Sequence, residues 1–575
     1  MSDDLLLSLL WAVPLAGSLL VLLIPKRAEL AIKLTSLAVM GVLLGLTIYA
    51  YTRYVGTPAG SGKLPVAVAL RDRAAQNVLT VDPATNHAQG ADAPGDLVVR
   101  NAWIPSFGVQ YYLGLDGISL SLILLTGLVG VLSCLASWPI NKQVKGYFSL
   151  FLLLTASMMG VFLALDMFLF YVFFEVMLLP MYFLIAIWGG ENREYAAIKF
   201  LLYTLFGSVF ILVAILLLYF WVAPAGRDYM VNGIRYAGHS FDSLLVAQAA
   251  AQTNYYDRDV QAWIFGLFFL GFCIKLPSFP FHTWLPDAHV QAPTPISMIL
   301  AGVLLKIGGY GLIRLAWPLA PLGAYELAMP VAILGVVSIV YGALAAMAQT
   351  DFKKLVAYSS VSHMGYVTLG LAAMTLYGDP RYYAYGVNGA MFMMLAHGIT
   401  STGMFFLVGV IYERAHTRDL NKLGGLLGPM PIYGAVSFLI FFGSMGLPGL
   451  CGFVAEVFVV LAAFNFSWPL AIAAAATVVL TAGYILWTIQ RVFLGKNEHH
   501  FHFPDLTARE IAIAAPLVAF TVALGVFPQR LVLDWMSPSV TDVVASVTRA
   551  NENRPLPPRA VKVSRALAAP ADRPR

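Results

Sequence analysis

The chain has 575 residues, 59% of them hydrophobic and 11% charged, with a formal net charge of +5. A soluble domain needs more polar residues to cover its surface, so this composition excludes an ordinary soluble enzyme and describes an integral membrane protein. The basic excess is scattered over loops and a tail, with no basic face or aromatic-basic motif to recruit nucleic acid.

Apolar runs long enough to cross a bilayer recur along the whole sequence, and they must be helices because lone backbone polar groups cannot be satisfied in lipid. The first lies in "MSDDLLLSLLWAVPLAGSLLVLLIPKR". Its acidic residues precede the apolar run and its basic ones follow, the reverse of a secretory signal peptide, which predicts a retained first helix. The pattern predicts about fourteen spans, near 5–24, 30–51, 117–139, 147–165, 167–188, 196–222, 262–281, 293–317, 327–348, 353–374, 384–411, 431–466, 468–490 and 510–527.

Loop charges orient them. Lys26/Arg27, Lys142/Lys145, Arg193/Lys199, Lys353/Lys354, Arg414/Arg418/Lys422 and Arg491/Lys496 fall on one side, whereas short loops on the other carry little beyond Arg381. The basic side is therefore expected in the cytoplasm and both termini outside. The long 431–466 segment is kept as one broken span, because splitting it would move Arg491 and Lys496 to the wrong side.

The loop over 52–116 is rich in Gly, Ala, Pro and Asp and is expected to be a poorly ordered insertion without chemistry. Residues 528–575 form a basic, Pro-rich tail. Cys134, Cys273 and Cys451 lie far apart in apolar runs, which predicts buried free thiols rather than disulfide, zinc or iron–sulfur ligands. The loop "NEHHFHFPD" could catch a metal, but a solvated loop is the simpler reading. No flavin, haem or dinucleotide motif is visible.

Charges inside the spans carry the functional signal, because a charged side chain at the bilayer centre costs about 2.5–3.5 kcal/mol on insertion scales. Glu175 stands in "FYVFFEVMLLPMYFLIAIW", Lys275 in "FFLGFCIKLPSFP", Lys306 in "ILAGVLLKIGGYG" and Glu456 in "CGFVAEVFVVL". His363 ("SSVSHMGYV") and His397 ("MFMMLAHGITSTG") add imidazoles. Each has a bland alternative: a structural ion pair, a cap on a helix break, a snorkelling lysine, a hydrogen-bonded core histidine. Together they are groups that exchange protons, with affinities set by burial and neighbouring charge. No Asn/Gln/Arg cluster accompanies them to fix a larger solute. Pro/Gly breaks at "IKLPSFPFHTWLP" and "GLPGLCGFVAE", about five spans apart, faintly echo the repeats that place ion sites in transporters.

At "FHTWLPDAHVQAPTPISMILAGVLLKIGGYGLIRLAWP" the sequence resembles the M-subunit branch of bacterial NADH:quinone oxidoreductase (respiratory complex I), a family related to multisubunit cation/proton antiporters. "FFEVMLLPMYFLIAIWGG", "FKKLVAYSSVSHMG" and "GLPGLCGFVAE" extend the likeness over about 110–527, whereas the 57–100 insertion and the end of the tail depart from it. The resemblance implies an all-α polytopic protein of about fourteen helices, with two inverted five-helix repeats over 147–317 and 327–490 broken at spans seven and twelve. A three-helix region over 1–139 precedes them, and a cytoplasmic loop and last helix over 491–527 follow. It also implies roles. Glu175 would pair with Lys275, Lys306 would be the connecting lysine, Glu456 would stand at the exit, and His363 and His397 would lie on a central hydrophilic axis.

The implied activity is translocation of protons outward across the bacterial inner membrane, as a subunit of an enzyme whose NADH, FMN, iron–sulfur clusters and quinone sit in partner subunits. No cofactor or metal is expected on this chain. Its expected neighbours are the antiporter-like L and N subunits and membrane lipids. The competing readings are a cation/proton antiporter subunit, a hydrogenase- or ferredoxin-linked pump, and a scaffold whose buried charges only specify helix packing.

Overall fold

A computed structural model describes residues 1–56, 97–222, 229–231, 234–236, 239–252, 258–375, 379–495 and 503–552. The inserted stretch 57–96, residues 496–502 of the His-rich loop and the tail after 552 lie outside the described residues.

Two helices, α1 (Asp3–Leu23) and α2 (Glu29–Val55), lead to an antiparallel hairpin of β1 (Val98–Ile104) and β2 (Val109–Gly114). The loop expected to be irregular thus ends in ordered structure, in which the hairpin buries consecutive residues at its paired end, Val98 and Val99 on β1 with Tyr112 and Leu113 on β2. Then come α3 (Gly117–Ala136), α4 (Val144–Leu163), α5 (Met167–Val176), α6 (Leu178–Trp188) and α7 (Arg193–Val222). A short α8 (Ser243–Gln252) precedes α9 (Arg258–Lys275) and α10 (Trp284–Gln291). The remaining helices are α11 (Thr294–Leu319), α12 (Pro321–Met347), α13 (Phe352–Ala372), α14 (Tyr383–Ala415), α15 (Pro431–Met445), α16 (Cys451–Phe466), α17 (Trp468–Val492), α18 (Ala508–Val526) and α19 (Asp534–Glu552).

Caps fix several starts. Asp116, Asp166 and Asp351 each accept a backbone N–H from the first turn of α3, α5 and α13, and Thr507 with Glu510 forms a capping box on α18.

Eleven helices among the described residues are long and apolar enough to cross a membrane. Three more helical segments occupy the expected seventh, tenth and twelfth spans. The tenth, α13, is less apolar than the others because Ser359, Ser360, Ser362 and His363 lie along it. The seventh and twelfth are broken. In the seventh, α9 ends at Lys275 and Pro277 and Pro280 keep the chain non-helical before α10. In the twelfth, α15 stops at Gly446, whose φ of +79° closes the helix in the left-handed region, and α16 starts at Cys451. Each break falls in the fourth member of its expected five-helix group.

The bundle has two faces. One carries the β1–β2 hairpin, the start of α1 and the end of α2, joined by an Arg53–Asp3 ion pair, and α19. The opposite, basic face gathers the loops with Lys142, Arg193, Lys199, Lys353, Arg414, Arg418 and Arg491. Cys134, Cys273 and Cys451 are buried free thiols.

Candidate functional site

Span eight, α11, lies wholly inside the bundle, and two π-helical stretches, Leu300–Leu304 and Leu312–Ala316, flank Lys306. Widened turns of this kind leave carbonyls free for side chains. Lys306 Nζ donates to the Ala301 carbonyl and lies 2.7 Å from His397 Nδ1 of α14. When Lys306 carries its proton, His397 Nδ1 accepts and the ring proton sits on Nε2, a buried atom with no protein partner among the described residues; a neutral Lys306 amine can accept from Nδ1 instead.

The His397 ring is 5.5 Å, centroid to centroid, from that of His363 on α13. His363 Nε2 in turn lies 4.0 Å from Glu456 Oε1 on α16. Lys306, His397, His363 and Glu456 therefore form one buried line, each a contact or a short gap from the next.

Lys275 closes the other end. It is 1% exposed, and its Nζ sits 5.4 Å from the ring centres of both Phe174 and Phe200, in cation–π geometry. Neither Lys275 Nζ nor Glu175 Oε1 has a hydrogen-bond partner among the described residues. Glu175 is the carboxylate within electrostatic reach of Lys275. The two expected partners are thus neighbours without touching. The local reason for Glu175's position is the joint between α5 and α6: Pro180 has no N–H for the Val176 carbonyl, and the span bends at Met177.

Contact between the two lysine-bearing spans runs through Gly308. A Cβ there would come within 2.7 Å of Leu276 N and 2.8 Å of the Phe272 carbonyl, so only glycine lets α11 lie this close to the end of α9.

Several residues enter that sequence reasoning missed. His282 and His289 are buried with both ring nitrogens unpaired among the described residues. His289 stacks on Phe405 at 4.3 Å, and His282 packs beside Phe279 and Tyr341. Lys353, taken from the sequence as a loop charge, is 5% exposed and donates to the Ala292 carbonyl at 2.5 Å. On the basic face Lys199 pairs with Asp287 at 2.7 Å. The available signal was a pair of histidines seven residues apart in "HTWLPDAH", with a carboxylate between them. Nearer the hairpin face, buried Arg314 donates to both Asp116 oxygens at 2.7 Å and tethers the end of α11 to α3. No group of three or more His, Cys, Asp or Glu among the described residues is arranged to hold a metal.

A helical membrane bundle with two interrupted spans and titratable side chains threaded across its middle defines the class of ion-translocating polytopic subunits. The chain belongs to the NADH:quinone oxidoreductase/Mrp antiporter transmembrane family, whose model matches residues 164–481, a stretch that contains both breaks and all six candidate residues. NADH-quinone oxidoreductase subunit M of Rhodobacter capsulatus is 45% identical over 454 residues, covering 78% of this chain and 85% of the relative. A chain of respiratory complex I from Thermus thermophilus matches with a TM-score of 0.76 at 27% identity, over 94% of this chain and 99% of that one. A chain of the Mrp complex from Dietzia sp. DQ12-45-1b shares the fold, with a TM-score of 0.71 at 22% identity over 95% of this chain and 100% of that one.

Proposed function

We propose that this chain is the antiporter-like, proton-translocating M-type subunit of a bacterial inner-membrane NADH:quinone oxidoreductase. Protons pass from the basic face, in the cytoplasm, to the hairpin face, which carries both termini outside. Electron transfer from NADH through FMN and iron–sulfur clusters to quinone takes place in partner subunits, and L- and N-type subunits flank this one. The observation that carries the reading is the buried line Lys306–His397–His363–Glu456, with Lys275 and Glu175 beside it.

Each step uses this chain's own atoms. Lys199/Asp287 and Lys353 stand where a proton leaves the basic face, with His282 and His289 next inward. The lysine that accepts it depends on its carboxylate neighbour: Glu175 near Lys275 stabilises the ammonium, and Glu175 drawn away weakens it. Lys306 then holds its proton against His397 Nδ1, the acceptor already aligned at 2.7 Å. Glu456 terminates the line beside the break in span twelve. Coupling to the distant redox reaction is a reciprocal free-energy linkage through these switchable charges.

The test is Glu175→Gln in the assembled complex in inverted vesicles. We expect normal assembly, with NADH:quinone turnover and proton uptake falling together. Full pumping in that variant would remove Glu175 from the mechanism. Replacing sodium by choline should leave pumping unchanged, and a sodium requirement would favour the cation/proton antiporter reading.

A further inference from the structure

We infer that His363 is a proton-storage site: it stands as an imidazolium whose two N–H groups latch the break of span twelve, with Glu456 as counter-charge. The inference rests on the reading above that this axis handles protons, and it assigns His363 a holding rather than a passing role.

The geometry is specific. His363 Nδ1 lies 2.8 Å from the Ser359 carbonyl oxygen, and Nε2 lies 2.9 Å from that of Ser444. Carbonyl oxygens only accept, so each of these two contacts needs an N–H, and a neutral imidazole has one to give; the Ser359 hydroxyl, 3.4 Å from Nδ1, is shared with Tyr484 at the shorter distance of 2.8 Å. With one proton fewer, a ring lone pair would face a carbonyl lone pair in a buried site. The two contacts are satisfied together by the doubly protonated ring.

The Ser444 carbonyl is available for a physical reason. Its helical partner would be the N–H of residue 448, which is proline, and α15 already ends at Gly446. The cation thus sits at the carbonyl-rich C-terminal end of a half-helix, where the helix dipole favours it. Glu456 closes on the same point: a Cβ on Gly446 would stand 2.2 Å from Glu456 Oε2. Both charges therefore converge on residues 444–446.

The other groups facing this ring are known. His397 of α14 lies 5.5 Å away with Lys306 behind it, and Tyr484 of α17 bonds Ser359 Oγ at 2.8 Å. From α12, Ile339 packs against Gly365, two residues along α13. Lys306 holding a proton opposes the imidazolium, and Glu456 supports it. Arrival of charge at Lys306 would loosen the latch and free the Ser444 carbonyl, so the break opens in step with the axis.

Backbone hydrogen–deuterium exchange over residues 445–452 tests this in the assembled complex in nanodiscs. His363→Gln, neutral, should raise exchange there by about tenfold, the scale set by losing one charge-assisted hydrogen bond. His363→Lys, which keeps a cation able to reach Ser444, should stay near wild type. In the wild type, exchange corrected for its chemical pH dependence should rise between about pH 5 and 8, the range in which a histidine loses its charge. That arm stands even if a variant fails to assemble. Flat corrected exchange in the wild type across this range, or equal exchange in His363→Gln and wild type, overturns the latch. Because the readout is backbone opening rather than pumping, loss of pumping with unchanged exchange refutes the latch alone. Opening with undiminished pumping supports the latch and removes His363 from the transfer path.

Discussion

At the scale of residues, protonation roles follow from which atoms can donate. A protonated Lys306 holds His397 in one tautomer, so removing its amine frees the ring as well as deleting a carrier. Lys306→Met is expected to assemble and to lower proton-coupled turnover at least about tenfold, as for loss of a proton-transfer group, measured as NADH:quinone activity with vesicle acidification. Gly446 and Gly449 provide a controlled pair, since both have positive φ, at +79° and +90°. A side chain at Gly446 collides with Glu456, whereas one at Gly449 meets open space. Gly449→Ala should therefore cost about 1 kcal/mol of backbone strain, and Gly446→Ala clearly more, read as the difference in thermal stability of the complex. The sequence exposed Glu175, Lys275, Lys306 and Glu456 through their cost in lipid. It hid Lys353, because a lysine next to a span boundary looks the same whether it points to water or to a buried carbonyl.

Among the elements, the breaks in spans seven and twelve were legible because proline and glycine interrupt helices for local reasons. The joint inside span five and the π-helical turns of span eight were not, since a Pro180 within an apolar run is compatible with a continuous kinked helix and π turns leave no composition signature. Their effect is to set how α9 and α11 meet. Gly308→Ala puts a methyl group 2.7 Å from the Leu276 nitrogen, which backbone can relieve only by moving the helices apart. We expect this variant to separate Lys275 from Lys306, lowering pumping while all ionisable groups remain, with a cost of about 1–3 kcal/mol for overpacking. Unaltered pumping and stability would show that this contact does not set the lysine spacing.

For the whole molecule, the hairpin face is held by charges with no part in the axis. Arg100 of β1 pairs with Asp242 at 2.7 Å, both nearly buried, while Asp166 accepts from Gln110 of β2 and caps α5. Arg100→Ala leaves the Asp242 carboxylate with backbone N–H donors from Leu244 and Leu245 but no counter-charge, and should destabilise the subunit by about 3 kcal/mol, seen as reduced assembly with no change in the coupling ratio of the surviving complexes. Helix α19 does similar work: its Ser539 accepts from Gly117 N at 2.8 Å and meets Tyr54 at 3.2 Å, and Ser537 donates to Asn388. Ending the chain at residue 533 is therefore expected to reduce incorporation into the complex, measured by the amount of subunit co-purifying.

The sequence by itself determined that the chain is a multi-span helical membrane protein with a few charges placed where lipid makes them expensive, because hydropathy, proline breaks and loop charge are local or additive properties. Tertiary structure alone decided which charges meet. Residues 306, 363, 397 and 456 become neighbours through helix packing, and close packing depends on where a glycine permits contact and which carbonyl a proline leaves free. The pairing of Glu175 with Lys275, expected from resemblance, became proximity without contact, since the turn at Met177 and the rings of Phe174 and Phe200 set the distance. His363 shows the difference most clearly: in sequence it is one imidazole among several, and only its two facing carbonyls, one from a helix interrupted 81 residues later, assign its protons.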